Sequence, residues 1–264
     1  MRLGFYATLL GMRMRTSLTT GMQYRWDFLF DVLMSFFWAG VSLLPLWVIG
    51  GAMHSVEGWT YPEMVVVTGL FIFLKGLIDG AINPSLTAVV EHIRDGSFDF
   101  ILIKPADAQF LVSTEKFQLL KMVDTVAGTL LMVHGFRLLG SAPTAAHVAA
   151  AALLLVSAAT VLYALSLLVV CVAFWSSRMD NLAYLFMSVF DFARWPVSVF
   201  PRGLRLVFTY VIPLALMTTY PSMALLGKLS PGVGMAAFAG AFVFFAAARY
   251  VWSRAIGQYT SASS

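Results

Sequence analysis

Apolar runs alternate with short polar segments along most of the chain. Each run is long enough for a helix that crosses the hydrocarbon core of a bilayer, which needs about 20 residues. The pattern predicts an all-α integral membrane protein with six transmembrane helices. We place the six spans at residues 28–49, 61–82, 109–133, 147–178, 182–200 and 232–252.

The third run carries more charge than the others, with Glu115, Lys116, Lys121 and Asp124 inside it. A charge at the centre of a span costs about 2.5–3.5 kcal/mol on insertion scales. Lys121 and Asp124 are three residues apart, so they can pair on one helix face. We therefore expect Glu115 and Lys116 at the cytoplasmic end of the span and the other two charges facing protein.

Two segments are too polar or too broken to cross the membrane. Residues 3–24 contain Arg13 and Arg15 among apolar residues, which is typical of a helix that lies in the membrane interface. Residues 201–231 contain four prolines, each of which removes a helix hydrogen bond. Non-helical backbone at membrane depth must be buried in protein or line a cavity. The segment therefore predicts a pair of half-helices that enters the membrane and returns before span six.

Composition supports one membrane domain over the whole chain. Of the 264 residues, 60% are hydrophobic and 11% are charged, against about 25% charged in a soluble protein. The single cysteine, Cys171, excludes an intramolecular disulfide. The predicted parts are an interfacial helix (1–27), spans one and two (28–83), a cytosolic loop (84–109), spans three to five (110–200), a re-entrant segment (201–231), and span six with its tail (232–264).

Basic residues indicate the orientation, because cytoplasmic loops carry an excess of lysine and arginine. With both termini in the cytosol, nine basic residues lie on the cytosolic side and four on the outer side. The cytosolic group is Arg2, Arg13, Arg15, Arg25, Arg94, Lys104, Arg178, Arg249 and Arg254, and the outer group is Arg137, Arg202, Arg205 and Lys228. The basic net charge reflects this anchoring and does not imply nucleic acid binding.

The loop between spans two and three predicts a short amphipathic helix over residues 84–96. Ser85 suits its N-cap, and Gly96 can adopt the left-handed conformation that ends a helix. Four apolar residues form one stripe at helical spacing, namely Leu86, Val89, Val90 and Ile93. The polar residues lie away from the stripe. The helix is then either an ordinary loop helix or a docking element for a partner.

The residues after this helix resemble a known family. The string R-D-G-S-F-D-F-I-L-I-K-P, residues 94–105, is similar to the loop between the second and third spans of ABC-2 type transporter permeases. The segment from Trp195 to Gly227, with its W-P-V-S-V-F-P-R-G-L-R and Y-P-S-M-A-L-L-G strings, looks like the re-entrant region of the stand-alone permeases of that family. The order of the other elements is similar too.

The resemblance implies a transporter subunit that is not itself an enzyme. A separate ATPase would bind ATP and Mg²⁺, and two permeases, identical or homologous, would work with two ATPases. The chain has no G-x-x-x-x-G-K-[ST] string to cradle phosphates. The loop helix would be the coupling helix, with the ATPase contact made by Glu91, Arg94, Asp95, Gly96, Asp99, Lys104 and Pro105. The chain would be a multi-pass protein of the cell inner (plasma) membrane that exports an amphipathic or lipid-like substrate.

Charges inside the spans are candidates for the substrate path, since such charges must face a partner or a water-filled route. Lys75 and Asp79 are one helical turn apart, Asp191 and Arg194 form a second pair, and Trp195 follows. Each pair is alternatively a structural link between helices. A Lys75–Asp79 relay would also suit an ion- or proton-coupled secondary transporter or channel.

Other chemistry finds little support in the residues. The four histidines are scattered, without the spacing of a metal site, so we expect no metal or other cofactor in this chain. An intramembrane enzyme would need clustered acids or a nucleophile with a base, and neither is present in the sequence.

Overall fold

Helices make up almost all of the protein, as the pattern predicts. The computed structural model describes residues 2–21, 25–53, 55–175 and 179–259. Arg178, which ends the predicted fourth span, and tail residues 260–264 lie outside the described residues. The elements are α1 (Arg2–Gly21), α2 (Arg25–Ala52), β1 (Ser55–Val56), β2 (Trp59–Thr60), α3 (Tyr61–Leu77), α4 (Asn83–Asp95), α5 (Asp99–Leu102), α6 (Ala108–Ser113), α7 (Val123–Leu139), α8 (Ala145–Cys171), α9 (Met179–Phe190), α10 (Arg202–Leu206), α11 (Tyr220–Leu225) and α12 (Pro231–Gly257).

Short turns of tighter or wider helix extend or connect these elements. The 3₁₀ turns are Leu119–Met122, Val172–Phe174, Asp191–Arg194 and Val197–Val199, and the π-helical turns are Ile78–Ile82, Val207–Val211 and Ala215–Thr219. The two strands pair antiparallel as a hairpin between α2 and α3. We call the end of the molecule that holds this hairpin the hairpin end, and the end that holds α4 to α6 the loop end.

Among the described residues, five helices are long and apolar enough to cross a membrane. They are Trp26–Ala52, Tyr61–Asp95, Leu119–Leu139, Ala145–Phe174 and Pro231–Gly257. The predicted fifth span, residues 182–200, is not one straight helix, because α9 ends at Phe190 and 3₁₀ turns follow. Trp195 has extended backbone angles, φ −106° and ψ 143°, and precedes Pro196, whose ring disfavours a helical conformation in the preceding residue.

The proline-rich segment after α9 is re-entrant, as predicted. It consists of two helical stretches, Arg202–Val211 and Ala215–Leu225, bent by 76°. Both of its ends lie at the hairpin end: Arg205 is 3.7 Å from Glu57, and Lys228 is 2.7 Å from Glu63. The segment therefore enters and returns on the same side.

The remaining crossing of the membrane is therefore made by the predicted fifth span, residues 182–200, although it is not one straight helix. The chain before it is at the loop end, where the indole of Trp175 donates to Gln258. The chain after it is at the hairpin end, where the indole of Trp59 donates to Ser198. With the five long helices, this stretch completes six crossings, and the predicted fold class is confirmed.

The third span begins about ten residues later than the sequence indicates. The chain between α6 and Leu119 bonds to other elements: Gln118 N donates to Gly80 O, and the Ser85 hydroxyl donates to Lys116 O and accepts from Lys116 N. These hydrogen bonds take the place of the regular backbone hydrogen bonds of an α-helix in this segment. Glu115 and Lys116 therefore lie before the span, which relieves the cost of holding their charges in lipid.

The loop helix predicted at 84–96 is the end of a much longer helix. Tyr61–Asp95 runs for 35 residues, which is about 52 Å at 1.5 Å per residue and exceeds the ~30 Å hydrocarbon core. Ser85 is consequently an interior, fully buried residue, and its prediction as an N-cap is wrong. Gly96 ends the helix at φ 70°, ψ 4°, in the left-handed conformation that was predicted.

The closest helix contact joins α3 to α7 through glycines. A side-chain carbon added to Gly128 would lie 2.4 Å from Gly69 O and 2.4 Å from Phe73 N, and one added to Gly76 would lie 2.5 Å from Thr125 N. Small residues let membrane helices approach closely enough to gain van der Waals contact. These glycines therefore determine how spans two and three fit together.

We expect Gly128→Val to destabilise the protein by at least about 1–3 kcal/mol, because the new side chain forces the two backbones apart. Thermal unfolding of the purified protein in detergent measures the change. The matched control is Gly40→Val on α2, where an added carbon has nothing within 4 Å. Equal melting temperatures for the two variants would contradict the close contact.

Candidate functional site

The turn after α4 is anchored by one buried aromatic residue. Phe98 is fully buried, with ring centroids 5.5 Å from Phe174, 5.3 Å from Tyr259 and 6.2 Å from Trp252. This contact holds the turn against the ends of α8 and α12. The Asp99 carboxylate lies near the Tyr259 hydroxyl, and burial together with this negative charge raises the pKa of Tyr259.

An exposed surface of mixed character lies beside this anchor. Apolar side chains are open to solvent at Phe100, which is 67% exposed, and at Ile103, which is 78% exposed. We call this surface, with its exposed neighbours, the loop surface. It comprises Glu91, Arg94, Asp95, Phe100, Ile103, Lys104 and Pro105.

The predicted contact residues thus fall into two groups. Five of them belong to the loop surface, whereas Gly96 and Asp99 are half-buried. Phe100 and Ile103 were missed by sequence reasoning, which treated the F-D-F-I-L-I string as a turn. The sequence does contain a signal for these two residues. They belong to an apolar run that is too short to cross a membrane and that lies in a loop rich in charges.

Two side chains connect α4 and the N-terminal helix α1 to the segment before span three. His92 bonds the Ser97 hydroxyl at 2.6 Å through Nδ1 and the Glu115 carboxylate at 2.8 Å through Nε2. Arg13 donates to Leu111 O at 2.6 Å and to the Thr114 hydroxyl at 2.8 Å. Movement of the loop surface is therefore tied to α1 and to the start of span three.

A third link joins the loop to the last span. Asp107 accepts from Arg249 at 2.6 Å and also caps α6 by accepting from Phe110 N. The hydrogen bond from Arg249 is the main reason that the pKa of Asp107 lies below its ordinary value. Arg249 also donates to Gln109, whose amide donates to Tyr163 on α8.

A cavity of ≈440 Å³ lies between α2, α3, the start of span three and the turn after α9. We call it the charged cavity. Charged side chains in its lining are Asp31, Lys75, Asp79, Lys121, Asp124, Asp191 and Arg194. It therefore brings together four of the five residues predicted for the substrate path. The fifth, Trp195, packs against the apolar core instead.

The charges in the cavity form ion pairs across helices as well as along them. Lys75 is 2.8 Å from Asp79, as expected, and also 3.9 Å from Asp124 on α7. Arg194 is 3.3 Å from Asp191, and its guanidinium lies 5.4 Å from the Phe71 ring centre. Asp124 thus pairs with Lys75, and the pairing expected from Lys121 is not among the ion pairs of the described residues.

Comparison with models of protein families gives a match over most of the chain. The family model described as ABC-2 family transporter protein matches residues 36–263. The chain belongs to the ABC-2 transporter family. Comparison with curated proteins gives no match.

Membership makes this chain the membrane subunit of an ABC transporter. An ABC-2 permease is the transmembrane component and not itself the catalytic ATPase, and the family implies an associated ATPase subunit and usually a permease partner. The match covers the predicted coupling and re-entrant segments. It starts after α1 and after Asp31, the one charged residue of the cavity that sequence reasoning did not single out.

We expect Asp107→Asn to lower the stability of the permease by about 0.5–1 kcal/mol at neutral pH, because a partly exposed ion pair is screened by water. Asparagine retains the cap on α6, so the change isolates the charge. Since the pKa of Asp107 is depressed in the folded protein, the pair stabilises above the unfolded-state pKa, and its contribution is lost as the pH falls through the native pKa.

Thermal unfolding from pH 7 down to about pH 3 measures this effect, because the ordinary aspartate pKa is about 3.9. The difference between the wild type and Asp107→Asn should be constant near neutral pH and should shrink towards the acid end, as the carboxylate becomes protonated. Asp95→Asn, which neutralises an exposed acid on the loop surface, is the control. A difference that is independent of pH would contradict the assigned role of the charge.

Proposed function

We propose that the loop surface of this ABC-2 permease docks on a separate ABC ATPase and transmits ATP-driven movement to the membrane helices. The supporting observation is that Phe100 and Ile103 stay open to solvent although their neighbour Phe98 is fully buried. Exposed apolar residues rimmed by charges mark a protein interaction site.

The unbroken helix Tyr61–Asp95 supports a direct mechanical route. A push on the loop surface moves α4. This helix continues into the π-helical turn, which carries Asp79, and then into α3, which carries Lys75; both residues line the charged cavity. The link from His92 to Glu115 carries the same push to the start of span three. Nucleotide chemistry belongs to the ATPase, which would hold ATP and Mg²⁺.

The charged cavity is the proposed path for substrate, and we propose export of an amphipathic or lipid-like molecule. The charges that line the cavity suit the polar end of such a molecule. The lipid-exposed helices beside the cavity suit its apolar end. Lys75, Asp79, Asp191 and Arg194 would contact its polar end. Trp195, in the apolar core, would act only through its neighbours.

The working assembly would contain two permeases, identical or homologous, and two ATPases in the cell inner (plasma) membrane. The exposure of α2 supports a partner there, since only 11% of its most apolar stretch is buried. Lipid and a second permease would share this face. Both termini would lie in the cytoplasm, together with the loop surface.

One observation favours a second candidate function. The Lys75–Asp79 pair at 2.8 Å lines a cavity at membrane depth, as an ion- or proton-coupled secondary transporter would require. The two candidates differ in their dependence on the ATPase. Transport along an ion gradient by the purified permease alone would establish the second candidate and overturn the first.

We expect Ile103→Asp to weaken binding of the co-expressed ABC ATPase by about tenfold or more, since a charge at a central apolar contact costs over about 1 kcal/mol. The dissociation constant between the permease in nanodiscs and the purified ATPase measures the effect. Ile103→Leu should bind normally, and so should Ala142→Asp in the exposed loop between α7 and α8. Unchanged binding by Ile103→Asp would exclude the loop surface as the docking site.

The orientation is testable by cysteine labelling, because Cys171 is the sole cysteine and is buried. In a Cys171→Ala background, Ala142→Cys should react with a membrane-impermeant maleimide in intact cells, whereas Ile103→Cys should react only after permeabilisation. The two sites lie at opposite ends of the helices, so each is the control for the other. Labelling of Ile103→Cys in intact cells would place the loop surface outside and refute the ATPase proposal.

A further inference from the structure

One face of α2 borders the charged cavity with side chains at helical spacing. Asp31, Ser35, Trp38 and Ser42 are four, three and four residues apart, so they lie along one stripe. The stripe is about 16 Å long at 1.5 Å per residue. It supplies a carboxylate, a hydroxyl and an indole ring to the cavity in that order.

The carboxylate of Asp31 is available to a ligand. The cavity is lined by four aspartates and three basic residues. Two of the basic residues already form ion pairs with three of these aspartates. Lys75 pairs with Asp79 and Asp124, and Arg194 pairs with Asp191. Within the described part of the chain, the Asp31 side chain takes part in no ion pair or hydrogen bond, and neither does the side chain of Lys121, which is exposed to solvent. The lining thus carries one excess negative charge.

Ser35 provides a second, independent sign of a ligand. Its residue is 8% exposed, and its hydroxyl oxygen is buried without a hydrogen-bond partner among the described residues. Buried polar groups in native structures are nearly always bonded, and an exception calls for a missing partner. The residue lines the cavity between Asp31 and Trp38. A bound molecule with a polar group at this level would satisfy the hydroxyl.

Trp38 adds an aromatic surface beside these two groups. It is 62% exposed in this chain and lines the cavity. The face of an indole ring attracts cations more strongly than other aromatic rings do. The guanidinium of Arg194 lies 5.4 Å from the centre of the neighbouring Phe71 ring, so that ring already has a cation beside it. The Trp38 ring is therefore the one available to a cationic ligand.

We infer that Asp31, Ser35 and Trp38 form a binding subsite for an organic cation with an apolar body. The inference rests on the proposed function, in which the charged cavity is the substrate path. Asp31 neutralises the cation, Trp38 contacts its charged and apolar surfaces, and Ser35 bonds a polar group where the ligand has one. An anion of the same size would meet the excess negative charge and the free carboxylate, so the subsite selects against it.

The cation has a route from the cytosolic side. A groove of ≈630 Å³ lies between α1, α2 and the segment before span three, and it shares Asp31 and Lys121 with the charged cavity. Its wall includes apolar residues such as Met12, Phe28 and Leu120. An amphipathic cation can therefore lie in the groove with its apolar part among these residues and its charge at Asp31.

The test compares two ions that have the same shape and opposite charge. Tetraphenylphosphonium and tetraphenylborate are added to the permease–ATPase complex in nanodiscs, and ATP hydrolysis is measured over a range of concentrations. We expect the phosphonium to stimulate hydrolysis and the borate to have no such effect. Direct binding to the same complex is measured by isothermal titration calorimetry.

Variants then assign the effect to the subsite. Asp31→Asn should raise the half-stimulating phosphonium concentration by about tenfold, and Trp38→Leu by several-fold. Asp31→Glu should respond to the phosphonium as the wild type does, because it keeps the negative charge. This comparison separates loss of charge from misfolding. The matched control for the aromatic change is Trp47→Leu at the other end of α2, which lines neither the cavity nor the groove.

Each result bears on one of the two proposals. If the complex forms and hydrolyses ATP but the two ions act alike, or if Asp31→Asn responds as the wild type does, the cation subsite is refuted and the permease function stands. If no ATPase complex forms at all, calorimetry on the permease alone decides the subsite. Equal affinities of wild type and Asp31→Asn would then refute it independently.

Discussion

The close approach of α3 and α7 is the contact on which the rest of the structure depends. Gly69 and Gly128 allow the two backbones to meet where any side chain would hold them apart. Because lipid provides no hydrophobic force between membrane helices, such contact is a main source of cohesion in the bilayer. It also brings Asp124 to 3.9 Å from Lys75, so packing and charge compensation depend on the same pair of helices.

The same two helices link the loop surface to the charged cavity. Helix α3 continues into α4, and the segment before α7 bonds to α4 through Ser85 and His92. A rigid unit of this kind moves as one body when its exposed end is pushed. The π-helical turn at Ile78–Ile82 holds Asp79, the ion-pair partner of Lys75 in the cavity, and turns of this type often occur at functional sites.

The cavity shows how a membrane protein can keep several charges beside lipid. Lys75 and Arg194 pair with three of the four aspartates in the lining, so most of the charge is compensated within the protein. Asp31 remains for a ligand. A polar stripe on α2 then connects the groove beside α1 to the charged cavity.

The pattern of apolar runs by itself determined the membrane class, the number of crossings and the re-entrant segment, because lipid enforces length and hydrogen bonding on every span. Local residues also determined the left-handed turn at Gly96 and the pairs at one-turn spacing. Only tertiary structure decided where span three begins, since Ser85 and Gly80 take the backbone bonds of the preceding segment. Tertiary structure also decided the partner of Asp124 and the position of Asp31 at the cavity, because these depend on contacts between helices that are distant in the chain.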